Sequence, residues 1–379
     1  MSAKPAGNPV LLQGNEAIVE AALVAGCRFY AGYPITPASE IMEQMSVRLP
    51  RLGGTFIQME DEIASIASII GASWAGAKSM TATSGPGYDL MQENIGYAHM
   101  TETPLVLVNV QRSGPSTGQS TDPSQQDIYQ AKYGAHGDYE VIAISPWSVQ
   151  EMFDLTVRAF NLAETYRTPV MLMSDGLIGH IEEKLVIPEK VDVVNRKKPT
   201  SMDATPWGTD DPSGVPEMPA FGEGHRLLVT GSTHRPDGVR NFSPEYHQKI
   251  VYRIMDKILN AEPVIRDIHK VEMDDAKVAV LSFGASARPS VEAVEKAREE
   301  GIKAGLFRLK TIWPFPEEPV RELADQVDAI IVVEMNVGKL VKEVQRVAEG
   351  KTKVVSLSKV GGVLPLSREV LEAVRREAQ

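Results

Sequence analysis

Cysteine is nearly absent: Cys27 is the single one in 379 residues. A lone thiol makes no internal disulfide and cannot supply the set of thiolates that an iron–sulfur cluster takes. A buried small hydrophobe is its expected state, so any redox metal centre serving this chain belongs to another chain. Long apolar runs are missing too. None reaches the roughly 18 residues of a membrane span, and no membrane attachment is expected. Met1 to Pro9 holds one lysine and no hydrophobic stretch, so no secretory signal is read there and a cytoplasmic location is expected. The seven histidines are scattered, without a metal-ligand spacing such as HExxH. Positive charge is in deficit, with 39 Lys and Arg against 50 Asp and Glu and a net charge of −11. That balance argues against nucleic acid as a partner and suits solubility or a positively charged protein partner.

What is present is the composition of a soluble globular protein, 43% apolar and 23% charged, with length enough for two domains. Residues 10 to about 190 alternate short β-branched runs with helical patterns. Strands are expected at Arg28–Gly32, Thr55–Met59, Lys78–Thr83, Pro104–Val110, Glu140–Ile144 and Pro169–Ser174. Helices are expected at Glu16–Ala25, Ala38–Leu49, Asp61–Ala75, Tyr88–His99 and Ser148–Tyr166. This alternation implies βαβ units and a mostly parallel sheet with helices on both faces. Residues 191–272 are rich in Pro, Gly, Asp and Thr, with one helical pattern at Glu245–Leu259. Trp207, Phe221 and Phe242 suggest that this long connection packs on something. Alternation resumes in 273–379, with strands expected at Val278–Phe283, Ala304–Leu309, Ala329–Glu334 and Lys353–Ser356. The expected division is therefore 1–190, 191–272 and 273–379, the last a second, smaller α/β domain.

Four loops follow strands of the first sheet. In Tyr33-Pro34-Ile35-Thr36-Pro37, two prolines fix φ and bias the residues before them away from the α region. Thr36 is thereby held between a strand end and a helix start, where ligands of parallel α/β sheets gather. Read plainly, Thr36 is an ordinary N-cap. Glu60, Asp61 and Glu62 begin a helix of small and apolar residues. One or two of them compensate the helix dipole, and a carboxylate entering a helix so apolar that it must be buried is either paired or functional. The turn Ser84-Gly85-Pro86-Gly87 offers free N–H groups at a helix start. Finally, Arg112 is followed by Ser113, Ser116 and Thr117 at the end of the most apolar strand, an arrangement suited to holding a carboxylate in a guanidinium fork.

Taken in order, YPITP, MEDEIASIASIIGAS, TATSGPGYDLM, QRSGPSTGQST and HGDYE resemble the α subunits of 2-oxoacid:ferredoxin oxidoreductases. The likeness continues through Val229–His234, Phe307–Pro316 and Val332–Asn336, so it spans nearly the whole chain. The wording around Gln58–Glu62 and His136–Glu140 is closest to the branch acting on 2-oxoglutarate. The resemblance implies a thiamine-diphosphate-binding pyrimidine domain plus a smaller domain like the C-terminal domain of transketolase, which would serve assembly. It implies a carboxylate on the cofactor's aminopyrimidine N1′: Glu62, with Glu60 as runner-up. Tyr33, Pro34, Ile35, Thr36, Ser84, Gly85 and Gly87 would line the cofactor, and Thr36, touching the cofactor or the substrate's carbonyl region, would be catalytic with Glu62 and Arg112. Arg112, with Ser116 and Thr117, would bind the 2-oxoacid carboxylate. A GDG motif followed by the asparagine that completes a Mg²⁺–diphosphate site is missing, as is any CxxC. The diphosphate, Mg²⁺ and [4Fe–4S] clusters are therefore expected on a β subunit, with small ferredoxin-like and γ subunits, ferredoxin and CoA as further partners. Branched-chain 2-oxoacids or pyruvate are the alternative substrates, and a non-catalytic scaffolding subunit is the alternative of another class.

Overall fold

The computed structural model describes Gly7 and residues 9–379; most of Met1–Pro9, on which the expectation about a secretory signal rests, lies outside the described residues. In chain order the strands are β1 (Pro9–Gln13), β2 (Cys27–Gly32), β3 (Thr55–Gln58), β4 (Lys78–Thr83), β5 (Leu105–Ser113), β6 (Gln119–Pro123), β7 (Ile142–Ile144), β8 (Pro169–Asp175), β9 (Glu182–Val186), β10 (Ile268–Val271), β11 (Val278–Phe283), β12 (Ala304–Leu309), β13 (Thr311–Trp313), β14 (Ala329–Glu334) and β15 (Lys353–Ser358). The large sheet runs β13-β7-β8-β5-β4-β2-β3, with β6 attached to the end of β5. Its pairings are parallel except at β13–β7 and β5–β6. A second sheet runs β10-β12-β11-β14-β15, parallel but for β10. This is the mostly parallel α/β architecture that the alternation implied. Among the described residues no helix is long and apolar enough to cross a membrane.

β5 shows why its sequence makes a central strand. All nine residues are buried. Val106, Val108 and Val110 join one core, with helices Gly14–Val24 and Val149–Tyr166. Leu105 and Leu107 join the core on the other face, with helices Glu62–Trp74 and Gln92–Met100. Side chains alternate across a strand, so an unbroken apolar run is buried on both faces.

Three local expectations change. The helix expected at Tyr88–His99 is two: Gly85–Leu90, entered from an extended Ser84 with Pro86 in its first turn, then Gln92–Met100. Proline is tolerated there because a first-turn N–H has no intrahelical acceptor. The helix Glu62–Trp74 is not buried all round. Ser65, Ile66, Ile69 and Ser73 face the core, while Ile63 is 47% exposed and Ala67 and Gly71 lie open on another face. Thr36 is no N-cap, since Ala38 precedes the helix Ser39–Arg48.

The connection 191–272 packs on the first sheet's helices, as Trp207 suggested. Trp207 is buried against Trp74, ring centroids 4.9 Å apart. Buried Arg167 lies over both indoles and donates to the carbonyls of Pro206, Pro216 and Glu217. Glu102, fully buried, takes Arg253 at 2.6 Å and Lys257 at 2.7 Å from helix Pro244–Leu259. Phe221 and Phe242 stay largely exposed.

The two sheets meet at a polar seam. Buried Gln125 donates from Nε2 to Phe283 O (2.8 Å) and accepts at Oε1 from Ser286 Oγ (2.8 Å) and Met335 N (3.0 Å). Its carbonyl accepts from Asn336 Nδ2 (2.9 Å). The segment that follows β6 is thus fastened to the ends of β11 and β14.

Candidate active site

Register brings the loops together. Gly32 pairs with Gln58 and Thr83 with Asn109, so β2, β3, β4 and β5 end at one sheet edge. Loops after neighbouring parallel strands converge there.

Arg112 is buried at the end of β5, and its Nη1 donates to Thr36 O at 2.9 Å. The guanidinium thereby reads the backbone of the Tyr33–Pro37 turn, whose Thr36–Pro37 peptide is cis. Asn15 Nδ2 holds the same turn from below, donating to Pro37 O at 2.8 Å. Arg112 Nε is buried without a protein partner, so the fork keeps donor capacity.

Glu62 is the first residue of its helix. Asp61 is the cap, its carboxylate accepting from Ala64 N at 2.7 Å, which is the dipole-compensating role. Glu60 is exposed. Glu62 is 4% exposed and receives no side-chain hydrogen bond from another residue among those described. Burial pushes its carboxyl up from the usual range; Asp61 adds to this and Arg112 draws it back. The carboxylate lies against the Gly-rich turn: a Cβ at Gly87 would overlap both Glu62 Oε1 and Thr83 Oγ1. Gly87 is therefore required by the approach of Glu62 rather than by its backbone angles.

At the other end of that turn a Cβ on Gly85 would sit 3.5 Å from Asp127 Oδ2. Asp127 is buried, accepts from Asn109 Nδ2 at 3.0 Å, and is pushed up to about 6 by burial. A cavity of about 530 Å³ opens here, lined by Gly85, Arg112, Ser116, Asp127 and, from the second unit, Asn336 and Lys339. The second unit thus shapes this cavity, a part beyond the assembly role that the sequence suggested.

The sequence-selected residues fall into groups. Arg112 and Thr36 are bonded; Glu62 and Gly87 touch; Gly85, Arg112 and Ser116 share the cavity. Ser84 Oγ is buried and unpartnered beside them. Ile35 is half-buried against the core, whereas Tyr33, Pro34 and Thr117 are exposed and do not line the cavity. Ser116 adopts φ 57° and Gly118 φ 51°, where a Cβ would strike Ser113 O. This left-handed pair explains why a glycine follows Thr117. Asp127 and Asn109 were missed because no local motif marks them; only the pairing of β4 with β5 brings them to the turn.

A thiamine ring needs a buried carboxylate that is free to accept a ring N–H, next to a backbone without side chains. Glu62 against Gly87, with Ser84 Oγ buried and unpartnered in the same turn, fits that requirement. Among the described residues no group of His, Cys, Asp and Glu could hold a metal.

Comparison with known proteins agrees. Residues 20–253 match the family described as pyruvate flavodoxin/ferredoxin oxidoreductase, thiamine diphosphate-binding, and residues 276–370 match pyruvate:ferredoxin oxidoreductase core domain II. The 2-oxoglutarate synthase subunit KorA of Methanothermobacter marburgensis is 54% identical over 369 residues, covering 96% of this chain and 97% of that one. The ketoisovalerate oxidoreductase subunit VorB of Methanothermobacter thermautotrophicus is 38% identical, covering 97% of each. A solved 2-oxoglutarate:ferredoxin oxidoreductase from Magnetococcus marinus, with 2-oxoglutarate, coenzyme A and succinyl-CoA bound, superposes with a TM-score of 0.93 at 32% identity. It covers 99% of this chain, which spans 66% of the length of that one. This chain belongs to the thiamine diphosphate-binding 2-oxoacid:ferredoxin oxidoreductase family, as one subunit of an oxidoreductase.

Proposed function

We propose that the chain is the α subunit of a 2-oxoglutarate:ferredoxin oxidoreductase, which turns 2-oxoglutarate and CoA into succinyl-CoA and CO₂ and reduces ferredoxin, or runs the reverse. The observation that carries the reading is the Glu62 carboxylate, buried and free of hydrogen bonds from other residues, on the sheet edge that also presents Arg112. Identity of 54% to a 2-oxoglutarate synthase subunit against 38% to a ketoisovalerate oxidoreductase subunit supports the five-carbon substrate.

Thiamine diphosphate, when bound, supplies the carbon nucleophile and the electron sink for decarboxylation. Glu62 accepts the N–H of the pyrimidine ring, and burial strengthens that bond by removing water's competition. Ser84, Gly85 and Gly87 give the ring a wall without bulky side chains, with the Tyr33–Thr36 turn beside it. Arg112 holds the 2-oxoacid carboxylate in its fork, assisted by Ser116, which lines the same cavity. Because Arg112 also grips Thr36 O, the substrate anchor and the cofactor turn move as one body. The diphosphate, Mg²⁺ and [4Fe–4S] clusters belong to a β subunit in this reading, with small ferredoxin-like and γ subunits as further members. The same reading places the complex in the cytoplasm, where CoA thioesters are exchanged.

The test is turnover of the native complex on a panel of 2-oxoacids with CoA and a low-potential electron acceptor. Selective use of 2-oxoglutarate is expected. Preference for 2-oxoisovalerate or pyruvate would overturn the substrate, and no turnover on any of them would overturn the activity.

A further inference from the structure

Two buried carboxyls flank the Ser84–Gly87 turn, and the mechanism above uses one. Glu62 abuts Gly87, and Asp127 abuts Gly85. Asp127 is 6% exposed and lines the cavity with Arg112. Asn109 Nδ2 fixes its Oδ2, while Gln111 Oε1 accepts its backbone N–H at 3.0 Å. The segment bearing it is fastened to the second unit through Gln125 and through Lys339 Nζ, which donates to Gln126 O. A carboxyl is costly to bury, and this one is held rigidly where a reactant can reach it.

The cavity's walls suit a particular ligand. Val337 and Val360 give apolar surface, and Asn336, Gln126 and Gln130 give amides. Methylenes interrupted by amide groups, as in a pantetheine arm, match that alternation. At about 530 Å³ the space exceeds what a five-carbon acid fills.

We propose that this cavity admits the thiol arm of CoA and that Asp127 takes the proton from its sulfur. The proposal rests on the CoA-dependent reaction proposed above. The step is a proton transfer alone. The S–H bond breaks, an O–H bond forms on Asp127, the electron pair stays on sulfur as thiolate, and no electron leaves. The thiolate then attacks the acyl carbon, forming the C–S bond as that carbon's bond to its carrier breaks and the electron pair returns to the carrier, and Asp127 releases the proton to solvent through the cavity. A carboxyl near 6 is a stronger base than an ordinary one towards a thiol near 8.5. The charged and titratable groups around it are Lys339, which lowers it, Asp89, which raises it, buried Tyr88, and Arg112 on the same cavity.

The test uses the native complex, 2-oxoglutarate and CoA, with two readouts. CO₂ released in a single turnover without CoA tests the parent reading; its absence in the wild type would overturn that reading separately. In Asp127→Asn succinyl-CoA formation should fall about 100-fold, a loss much larger than any fall in this release. In the wild type the thioester-forming rate should fall as pH drops through about 6, and the variant should lack this limb. Lys339→Met removes the neighbouring cation and should move the limb to higher pH, which keeps a test available if the first variant misfolds. Unchanged thioester formation in Asp127→Asn, an equal loss of both readouts, or an unmoved limb in Lys339→Met would overturn the proposal.

Discussion

At the residue scale the site turns on one contact, Glu62 against Gly87. Glycine is needed there because a methyl group would occupy the space of the carboxylate. Gly87→Ala should therefore displace Glu62 and act like Glu62→Gln, with turnover falling at least about 100-fold, while the complex still assembles. Steady-state kinetics with size-exclusion chromatography checks this; an alanine variant with near-normal turnover would count against Glu62 as the cofactor's partner. Glu62 could be chosen only through the family resemblance; the structure adds the physical reason, with Asp61 as the cap and Glu60 exposed outside the helix. Asp127 could not be chosen. Pro123-Ser124-Gln125-Gln126-Asp127 carries no motif; Asp127 is held by Asn109 and Gln111 before it, and Gln125 and Gln126 by Phe283, Met335 and Lys339 far after it.

At the element scale the segment 124–127 has no regular structure of its own and depends on the seam. Gln125→Ala leaves Met335 N without its buried acceptor and takes one of two donors from Phe283 O, which keeps Ser286 Oγ. Each lost partner costs about 1–3 kcal/mol, so a destabilisation of about 2 kcal/mol or more is expected in denaturant unfolding. Stability unchanged from the wild type would show that water replaces the amide. The same scale explains what was legible. The strands at 278–283, 304–309 and 329–334 match their expected spans, because a strand buried on both faces is mostly apolar along its length; the strand at 78–83 matches too, although Lys78, Ser79, Thr81 and Thr83 are polar. β1, β6, β9, β10 and β13 were not read. They are short, they pair antiparallel with strands elsewhere in the chain, and nothing within their own few residues fixes that pairing. The helix at 62–74 was read in the right place but with the wrong surroundings, since its small residues line an open face as well as a core.

At the scale of the whole molecule, that open face is informative. Ile63, Ala67 and Gly71 recur at helical spacing at exposed positions, and Ile57 of the edge strand β3 is exposed as well. The proposed active site is half of one completed by a partner, and this face flanks it. Ala67→Glu should leave the chain folded by circular dichroism yet prevent it from joining the β subunit. A variant that assembles normally would place the partner elsewhere.

One pairing has consequences for how the chain comes into being. β13, which lies beyond most of the second sheet, crosses back to close the edge of the first by pairing with β7. During synthesis β7 emerges about 170 residues before its neighbour. At roughly 5–20 residues per second the ribosome leaves that apolar edge bare for on the order of 10–30 s. Such an edge is a template for illicit pairing, so the nascent chain is at its most vulnerable to aggregation after the first sheet has formed and before residue 313 has left the exit tunnel.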